Sequence, residues 1–491
     1  MNLQTKIGKV KSRIFTQPLQ VPKPGEKVYA LSGSDVAEIL RIRGLKTELD
    51  PGMGGVSPRH LDDILKQNSE LVSVDLALTA GCNFKCVWCY RPGDEWGKIK
   101  LNFEKIASTI EEAANLGVKF FVLTGGEPLV YKDGDKDYFD VISKINEVYS
   151  GGNLSAPKIL TFSDVALIDE YKAERLAGYK IGLCLKRDSL NHEIQDGILD
   201  AKNGSKKMER GYENLFKVGY GSNPELPVSV NTVLAKAIKI SNGKIINTLD
   251  TAIDLHMWIR SHGMEHSIVP IHFCGEAKDD DQETGINPIE VKSLYDILAE
   301  IDVRFYNDNW RVFSAFTKNR TCNRPGRGLH IRATGKVTGC SESPLVDEYV
   351  FGNIKEQNLT GIVRSSKFQE FKEEFSHREG EYICNPDVCD LNANNLCRGG
   401  CAVRSAYSML DVTTGMLQPN PNPLAYSQGR EDALCPGWIV LAQKQGILID
   451  GIYEQIVDKL LSKSSLDSQM ADQIRKKIVE DFNILKGEHR K

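Results

Sequence analysis

No apolar stretch in this sequence reaches the roughly 20 residues that a helical membrane span needs, and neither sign of charge dominates it. With 62 Lys and Arg against 66 Asp and Glu, the net charge is −4, which leaves no electrostatic footprint for a nucleic-acid partner. The first residues, Met1 to Lys6, lack the apolar core of a signal peptide. Neither a membrane nor a nucleic acid is therefore an expected partner, and the cytoplasm is the expected compartment. Thiols stay reduced there and disulfides are rare, yet the chain has 12 cysteines. Packing as small hydrophobes explains two or three scattered ones. It does not explain three within eight residues at Cys82, Cys86 and Cys89, or four between 384 and 401. Metal or cluster binding is the better account, and 491 residues give room for two or three domains around it.

Four cysteines would close the ligand shell of a four-iron cluster; three leave one iron open to a substrate or cofactor. In the run from Gly81 to Tyr90 the cysteines are spaced C-x-x-x-C-x-x-C, with Trp88 just before the last. Close cysteine pairs also serve zinc, so the loop needs support from elsewhere. From about residue 71 to 310, short apolar runs alternate with amphipathic helices, the pattern of repeated βα units. Six strands are expected, at Ser73–Thr79, Lys119–Thr124, Lys158–Ser163, Lys180–Lys186, Val228–Leu234 and Ser267–Phe273. Phe103, Ile106, Ile110 and Ala113 or Ala114 mark one helical face, ended by Gly117. The cysteine loop follows the first strand, and the run Gly125-Gly126-Glu127-Pro128 ends the second. Glycines let backbone approach a neighbour closely, and carbonyls with a carboxylate can receive an ammonium.

The cysteine loop and the Gly-Gly-Glu-Pro run, one βα unit apart, resemble the signature of radical S-adenosylmethionine (SAM) enzymes. The resemblance implies an α/β fold with a partial (β/α)6 TIM barrel, whose chemistry gathers at the C-terminal strand ends. It implies that Cys82, Cys86 and Cys89 hold a 4Fe–4S cluster whose open iron chelates SAM. Trp88, Gly125, Gly126 and Glu127 would then lie against the cofactor. Two further contacts follow by position. Ser163 ends strand three, where many relatives have Thr-Asn-Gly, and would meet the ribose. Lys186 ends strand four, where relatives carry a serine, and would reach the carboxylate or ribose; a strand-end lysine pointing to water stays open beside that reading.

Seven more cysteines follow, with Gly335 turning a hairpin over Ile331–Thr338. The order Cys322, Cys340, Cys384, Cys389, Cys397, Cys401 and Cys435 resembles the SPASM extension of radical SAM enzymes, which carries two auxiliary iron–sulfur clusters. The middle gaps are four, seven and three residues, longer in two places than the usual two, five and three. By position, Cys384, Cys389, Cys397 and Cys435 would hold the distal cluster. Cys322, Cys340 and Cys401 would hold the nearer one, with an iron left open or bound by a group other than cysteine. Zinc ribbons are the competing reading, although seven is awkward for an ion that takes four ligands. The expected layout is an N-terminal extension at 1–70, the barrel at 71–310, the SPASM domain at 311–440 and a helical tail at 441–491. Short helices are expected at 35–43 and 60–67, and charged sequence beyond about Leu461.

Cys184, in strand four, reads as core packing. Cys274, near the end of strand six, either packs or gives a hydrogen atom to a substrate radical; His272 and His330 read first as structural histidines. The resemblance implies SAM and three 4Fe–4S clusters as cofactors, with a flavodoxin- or ferredoxin-type electron donor. SPASM relatives mostly tailor ribosomal peptides or proteins by oxidation, crosslinking or thioether formation, so a peptide is the first expected substrate. Oxidation or epimerisation of a small molecule such as a sugar or aminocyclitol is the alternative. A cluster- or zinc-binding scaffold or sensor is the reading outside enzymes.

Overall fold

The computed structural model describes residues 14, 16–20, 71–91, 97, 99–150, 156–272, 274–277, 286–308, 328–343, 347–374, 408–410, 417–419, 435 and 437–488. The two expected helices before residue 70, and Cys322, Cys384, Cys389, Cys397 and Cys401, lie outside the described residues. So does most of 411–434, of which Leu417–Pro419 pairs antiparallel with Ser408–Leu410.

Six parallel strands are present: β1 (Ser73–Thr79), β2 (Phe120–Gly125), β3 (Lys158–Ser163), β4 (Gly182–Lys186), β5 (Val228–Leu234) and β6 (Glu265–Pro270). Strands one, three and five have the bounds read from the sequence. Strand six differs. Ile271 and Phe273 read as its continuation, but Pro270 has no N–H to give to a ladder, and the pairing with β5 ends at Pro270↔Leu234. His272 and Cys274 are thereby released into the loop at the barrel's C-terminal end.

Helix α1 (Phe103–Asn115) joins β1 to β2 and shows why the βα units form. Asn102 caps it by accepting from Lys105 N. Ile106, Ile110 and Ala113 turn inward, and Gly117, at φ +85°, takes the left-handed turn after it. Helices α2 (Tyr138–Ser150), α3 (Glu170–Gly178), α4 (His192–Leu199), α5 (Gly204–Lys217), α6 (Ala252–Ser261) and α7 (Pro288–Tyr306) follow in chain order. Val74, Leu76 and Leu78 of β1 and Phe121 and Leu123 of β2 belong to the main core shared with helices α1 to α6. Phe120, Val122, Leu160 and Cys184 form a separate small cluster. Cys184 is therefore a packing residue, as read.

The expected hairpin exists, and it does more than was read. Strands β7 (Gly328–Ile331), β8 (Lys336–Thr338) and β9 (Val350–Asn353) extend the same sheet, in the order β6-β5-β4-β3-β2-β1-β7-β8-β9. β7 runs parallel to β1, with Asp75 opposite His330. The SPASM segment thus covers the edge that an open barrel would leave on β1. Helices α8 (Leu359–Val363) and α9 (Ser366–Glu374) pack beside β9.

Helices α10 (Gly437–Lys444), α11 (Ile452–Ser462) and α12 (Ser468–Glu488) form a second core with α6, α7 and the segment around Ile14 and Leu19. The sequence beyond Leu461 is charged, but Ile474, Ile478 and Phe482 of α12 are buried.

Candidate functional site

The loop after β1 is fixed from three sides. From β2, Gly126 N donates to Thr79 O at 2.7 Å and Glu127 N donates to Gly81 O at 2.9 Å. A Cβ on Gly126 would lie 1.9 Å from Gly81 O, and one on Gly125, at φ +134°, would lie 2.3 Å from Thr79 O. The glycines of the Gly-Gly-Glu-Pro run thus allow two strand ends to touch, which brings that run directly beside Cys82. From α4, the carbonyls of Leu199 and Ile198 accept from Lys85 N and Val87 N at 3.1 and 3.0 Å. From beyond β6, Glu276 N donates to Cys89 O at 2.8 Å.

Cys86 feels both of the other cysteines of the loop. Burial pushes the Cys82 thiol up to about 12, helped by the nearby Asp164 carboxylate. Burial raises Cys86 as well, then its neighbours Cys89 and Cys82. Thiolates at such a place need compensating positive charge. Lys186 supplies it beside Cys86, and Arg91 beside Cys82. Among the described residues no three His, Cys, Asp or Glu side chains close on a single ion. A zinc ion needs all its ligands on one centre, whereas a cluster spreads its thiolates over separate irons. Three half-buried cysteines on one short loop, with Arg91 and Lys186 beside them, fit thiolate ligands of a cluster.

Glu127 is buried, and its carboxylate binds protein. It accepts from Leu129 N at 3.1 Å, from Ser163 Oγ at 3.1 Å and from Asp164 N at 2.8 Å. Burial, then the Asp164 charge, raises its pKa well above the usual carboxylate range. Ser163, expected at the ribose, thus gives its hydroxyl to Glu127 and accepts from Val165 N at 3.0 Å. Asp164 accepts from Asn83 Nδ2 at 3.2 Å, which ties β3 to the cysteine loop, and its Oδ2 is buried with no partner among the described residues. Burial lifts its carboxyl to about 6. Lys186 is not turned to water: it pairs with the buried Asp188 at 3.2 Å and approaches Asn231 Oδ1 at 3.4 Å. Trp88 is buried, and its Nε1 has no partner among the described residues.

Arg91 was missed in the sequence. Its guanidinium donates to Ala80 O and lies beside Cys82 and Cys89. An arginine two residues after the last cysteine was the available signal. His330 is buried on β7 with Asp75 Oδ2 3.8 Å away, a structural position. His272 pairs with Glu342 of the SPASM segment. Cys340 packs against the main core and Cys435 against the second one, while the other five cysteines expected beside them lie outside the described residues. Cys274 is buried between the two cysteine regions, with Cys89 and Cys340 among its neighbours.

The radical SAM superfamily model matches residues 76–242, and the SPASM model, an iron–sulfur cluster-binding domain, matches residues 322–390. The GTP 3',8-cyclase of Clostridium botulinum (strain Okra) is 27% identical over 180 residues, 35% of this chain and 50% of that protein. The chain thus spans about half the length of that curated relative. The GTP 3',8-cyclase of Staphylococcus aureus (strain bovine RF122) is 26% identical over 329 residues, 61% of this chain and 85% of that protein. Among solved structures, native anSMEcpe with bound AdoMet and Cp18Cys peptide aligns with a TM-score of 0.53 at 16% identity, over 80% of this chain and 99% of that one. Streptococcus suis SuiB bound to precursor peptide SuiA aligns with a TM-score of 0.51 at 15% identity, over 75% and 83%. At these identities the two structures speak for the fold. The family matches coincide with the cysteine loop and the cysteine-rich segment: the chain carries a radical SAM domain over residues 76–242 and a SPASM domain over residues 322–390.

Proposed function

We propose that this protein is an enzyme that reductively cleaves SAM and takes a hydrogen atom from a bound ribosomal peptide or protein, leaving it oxidised, crosslinked or thioether-bridged. The observation that carries the reading is the hydrogen-bonded join of the Gly125–Glu127 turn to Thr79 and Gly81, which sets that glycine-rich backbone beside the loop of Cys82, Cys86 and Cys89. When bound, the cluster supplies the electron that splits SAM into methionine and a 5′-deoxyadenosyl radical. Cys82, Cys86 and Cys89 hold it, and Arg91 and Lys186 offset its charge. The backbone of Gly125 and Gly126 receives the methionyl ammonium, while Glu127 holds that turn in shape through Ser163 and Asp164. Trp88 walls the site. Two auxiliary clusters, held by Cys322, Cys340, Cys384, Cys389, Cys397, Cys401 and Cys435, would accept the electron that an oxidised substrate gives up. A flavodoxin or ferredoxin would deliver the first one.

Peptide is favoured because the fold is shared with anSMEcpe and SuiB, whose structures hold a Cp18Cys peptide and the precursor peptide SuiA. A small molecule is the second reading, favoured by the sequence relatives named for GTP. Anaerobic reconstitution with iron, sulfide, dithionite and SAM should release 5′-deoxyadenosine, and Cys82→Ala, Cys86→Ala or Cys89→Ala should reduce it to background. Deuterium carried into 5′-deoxyadenosine from a labelled peptide, but not from labelled nucleotides or sugars, selects the first reading. Protein that takes up zinc, or cleaves no SAM, returns the scaffold reading.

A further inference from the structure

Cys274 stands four residues past the end of β6, where the chain crosses the cluster end of the barrel. On one side, its turn is docked onto the cysteine loop. Gly275 has φ +59°, a Cβ there would lie 2.1 Å from Cys89 O, and the next residue, Glu276, donates to that same carbonyl at 2.8 Å. On the other side, the turn meets the SPASM segment. His272, whose carbonyl accepts from Cys274 N at 2.8 Å, pairs through Nδ1 with Glu342, two residues after Cys340. Arg332 holds that segment in place by donating to Ser341 O and Ser343 O at 3.0 and 3.2 Å. Cys274 is 5% exposed, and its ionisable neighbours are Glu342, Cys340, Arg332 and Cys89. Beside it, the His272 side chain is 8% exposed and its Nε2 is buried with no partner among the described residues. The junction is polar and brings together two cysteines from different parts of the chain, the buried Cys274 and the half-buried Cys340.

Cysteine arithmetic meets this geometry. Of the 12 cysteines, three belong to the loop and seven fall from 322 to 435. Cys184 is packed with Phe120, Val122 and Leu160. Only Cys274 remains. Seven ligands are one short of two clusters with four thiolates each. We propose that Cys274 is the fourth thiolate of the auxiliary cluster that Cys340 helps to hold, supplied by the barrel across its junction with the SPASM segment. On binding iron the thiol gives up its proton. The cluster then has no open iron for a substrate, and Cys274, committed to iron, has no hydrogen atom to donate. The cluster would also tie the end of β6, docked on the cysteine loop at Cys89, to the SPASM segment.

The inference rests on the iron–sulfur reading above, but not on the choice of substrate. Its test compares full-length, anaerobically purified wild type with Cys274→Ala, Cys274→Ser and Cys184→Ala, by iron and sulfide content and by electron paramagnetic resonance and Mössbauer spectra. Wild type should hold about twelve irons, as three four-iron clusters require. Cys274→Ala should lose between about one and four of them, with a three-iron signal where one iron leaves. Cys274→Ser should shift the spectrum of one cluster, because oxygen replaces sulfur on an iron; this variant decides alone where the alanine protein does not fold. Cys184→Ala should match wild type. Wild-type iron content and spectra in both Cys274 variants would overturn the ligand assignment, as would equal iron loss in Cys184→Ala. Wild type that holds no iron fails differently, because it removes the proposed function itself.

Discussion

At Gly126 a single hydrogen atom in place of a methyl group decides whether two strand ends can meet. The 1.9 Å that would separate a Cβ from Gly81 O is far inside any real contact, and the obstacle is backbone, which cannot swing aside. Gly126→Ala must therefore break Gly126 N to Thr79 O, Glu127 N to Gly81 O, or both. Overpacking of this kind costs about 1–3 kcal/mol, and here the cost falls on the loop that carries Cys82. The expected outcome is a folded protein that retains little iron after reconstitution and releases at least about tenfold less 5′-deoxyadenosine, since about 1.4 kcal/mol is already tenfold. Iron analysis and product chromatography check it; normal iron content would show that the loop holds its shape without the join. The motif was legible in the sequence because glycine pairs followed by Glu-Pro stand out locally. What it touches was not. Gly81 is 45 positions before Gly126, and Ser163 lies 36 beyond Glu127. Nothing local shows that the serine hydroxyl expected at the ribose also donates to a carboxylate.

Helix α1 shows the same limit at the level of an element. Its apolar face and its end at Gly117 were read from spacing, whereas the cap at Asn102 was not. Another first-turn donor is satisfied from outside: Phe103 N gives its hydrogen to Asp133 Oδ2 at 2.8 Å, and Lys100 Nζ pairs with the same carboxylate at 3.0 Å. These contacts, with the Phe103 bond first, hold Asp133 below the usual carboxylate range. A depressed acid contributes stability above its unfolded pKa of about 3.9, and the contribution is lost as pH falls through the lower folded value. Asp133→Asn should therefore cost about 0.5–1 kcal/mol at pH 7. It should cost less as the pH drops below about 4, where the wild-type carboxylate is itself protonated. Thermal unfolding of both proteins at the two pH values gives the comparison; a difference that grows in acid would reverse the sign and refute the assignment. Strand six teaches a related lesson, since the residue that ended it was a proline inside an apolar run and not a polar turn.

For the whole molecule, periodicity revealed the barrel but not what closes around it. β7 pairs in parallel with β1 across more than 250 positions of sequence, and a parallel partner leaves no local turn signal. The C-terminal helices were hidden for another reason: in α12 the apolar residues Ile474, Ile478 and Phe482 are four apart and surrounded by charge, so the stripe is narrow. That stripe meets α11 and α7. Tyr453 of α11 is 2% exposed, stacks on Phe482 with ring centroids 3.9 Å apart, and donates to Asp296 Oδ2 of α7 at 2.5 Å. Removing it leaves a large cavity and an Asp296 carboxylate that keeps Lys292 but loses the tyrosine hydroxyl. Tyr453→Ala should therefore cost about 3–5 kcal/mol, whereas Tyr453→Phe, which loses only the hydroxyl, should cost about 0.5–1.5 kcal/mol. Denaturant unfolding followed by tryptophan fluorescence can read both, because Trp438 is buried in the same core. If the helices were a solvated tail, neither substitution would move the transition. A large loss from alanine and a small one from phenylalanine would instead make residues 452–488 part of the wall that supports α7, and through α7 the strand end from which Cys274 departs.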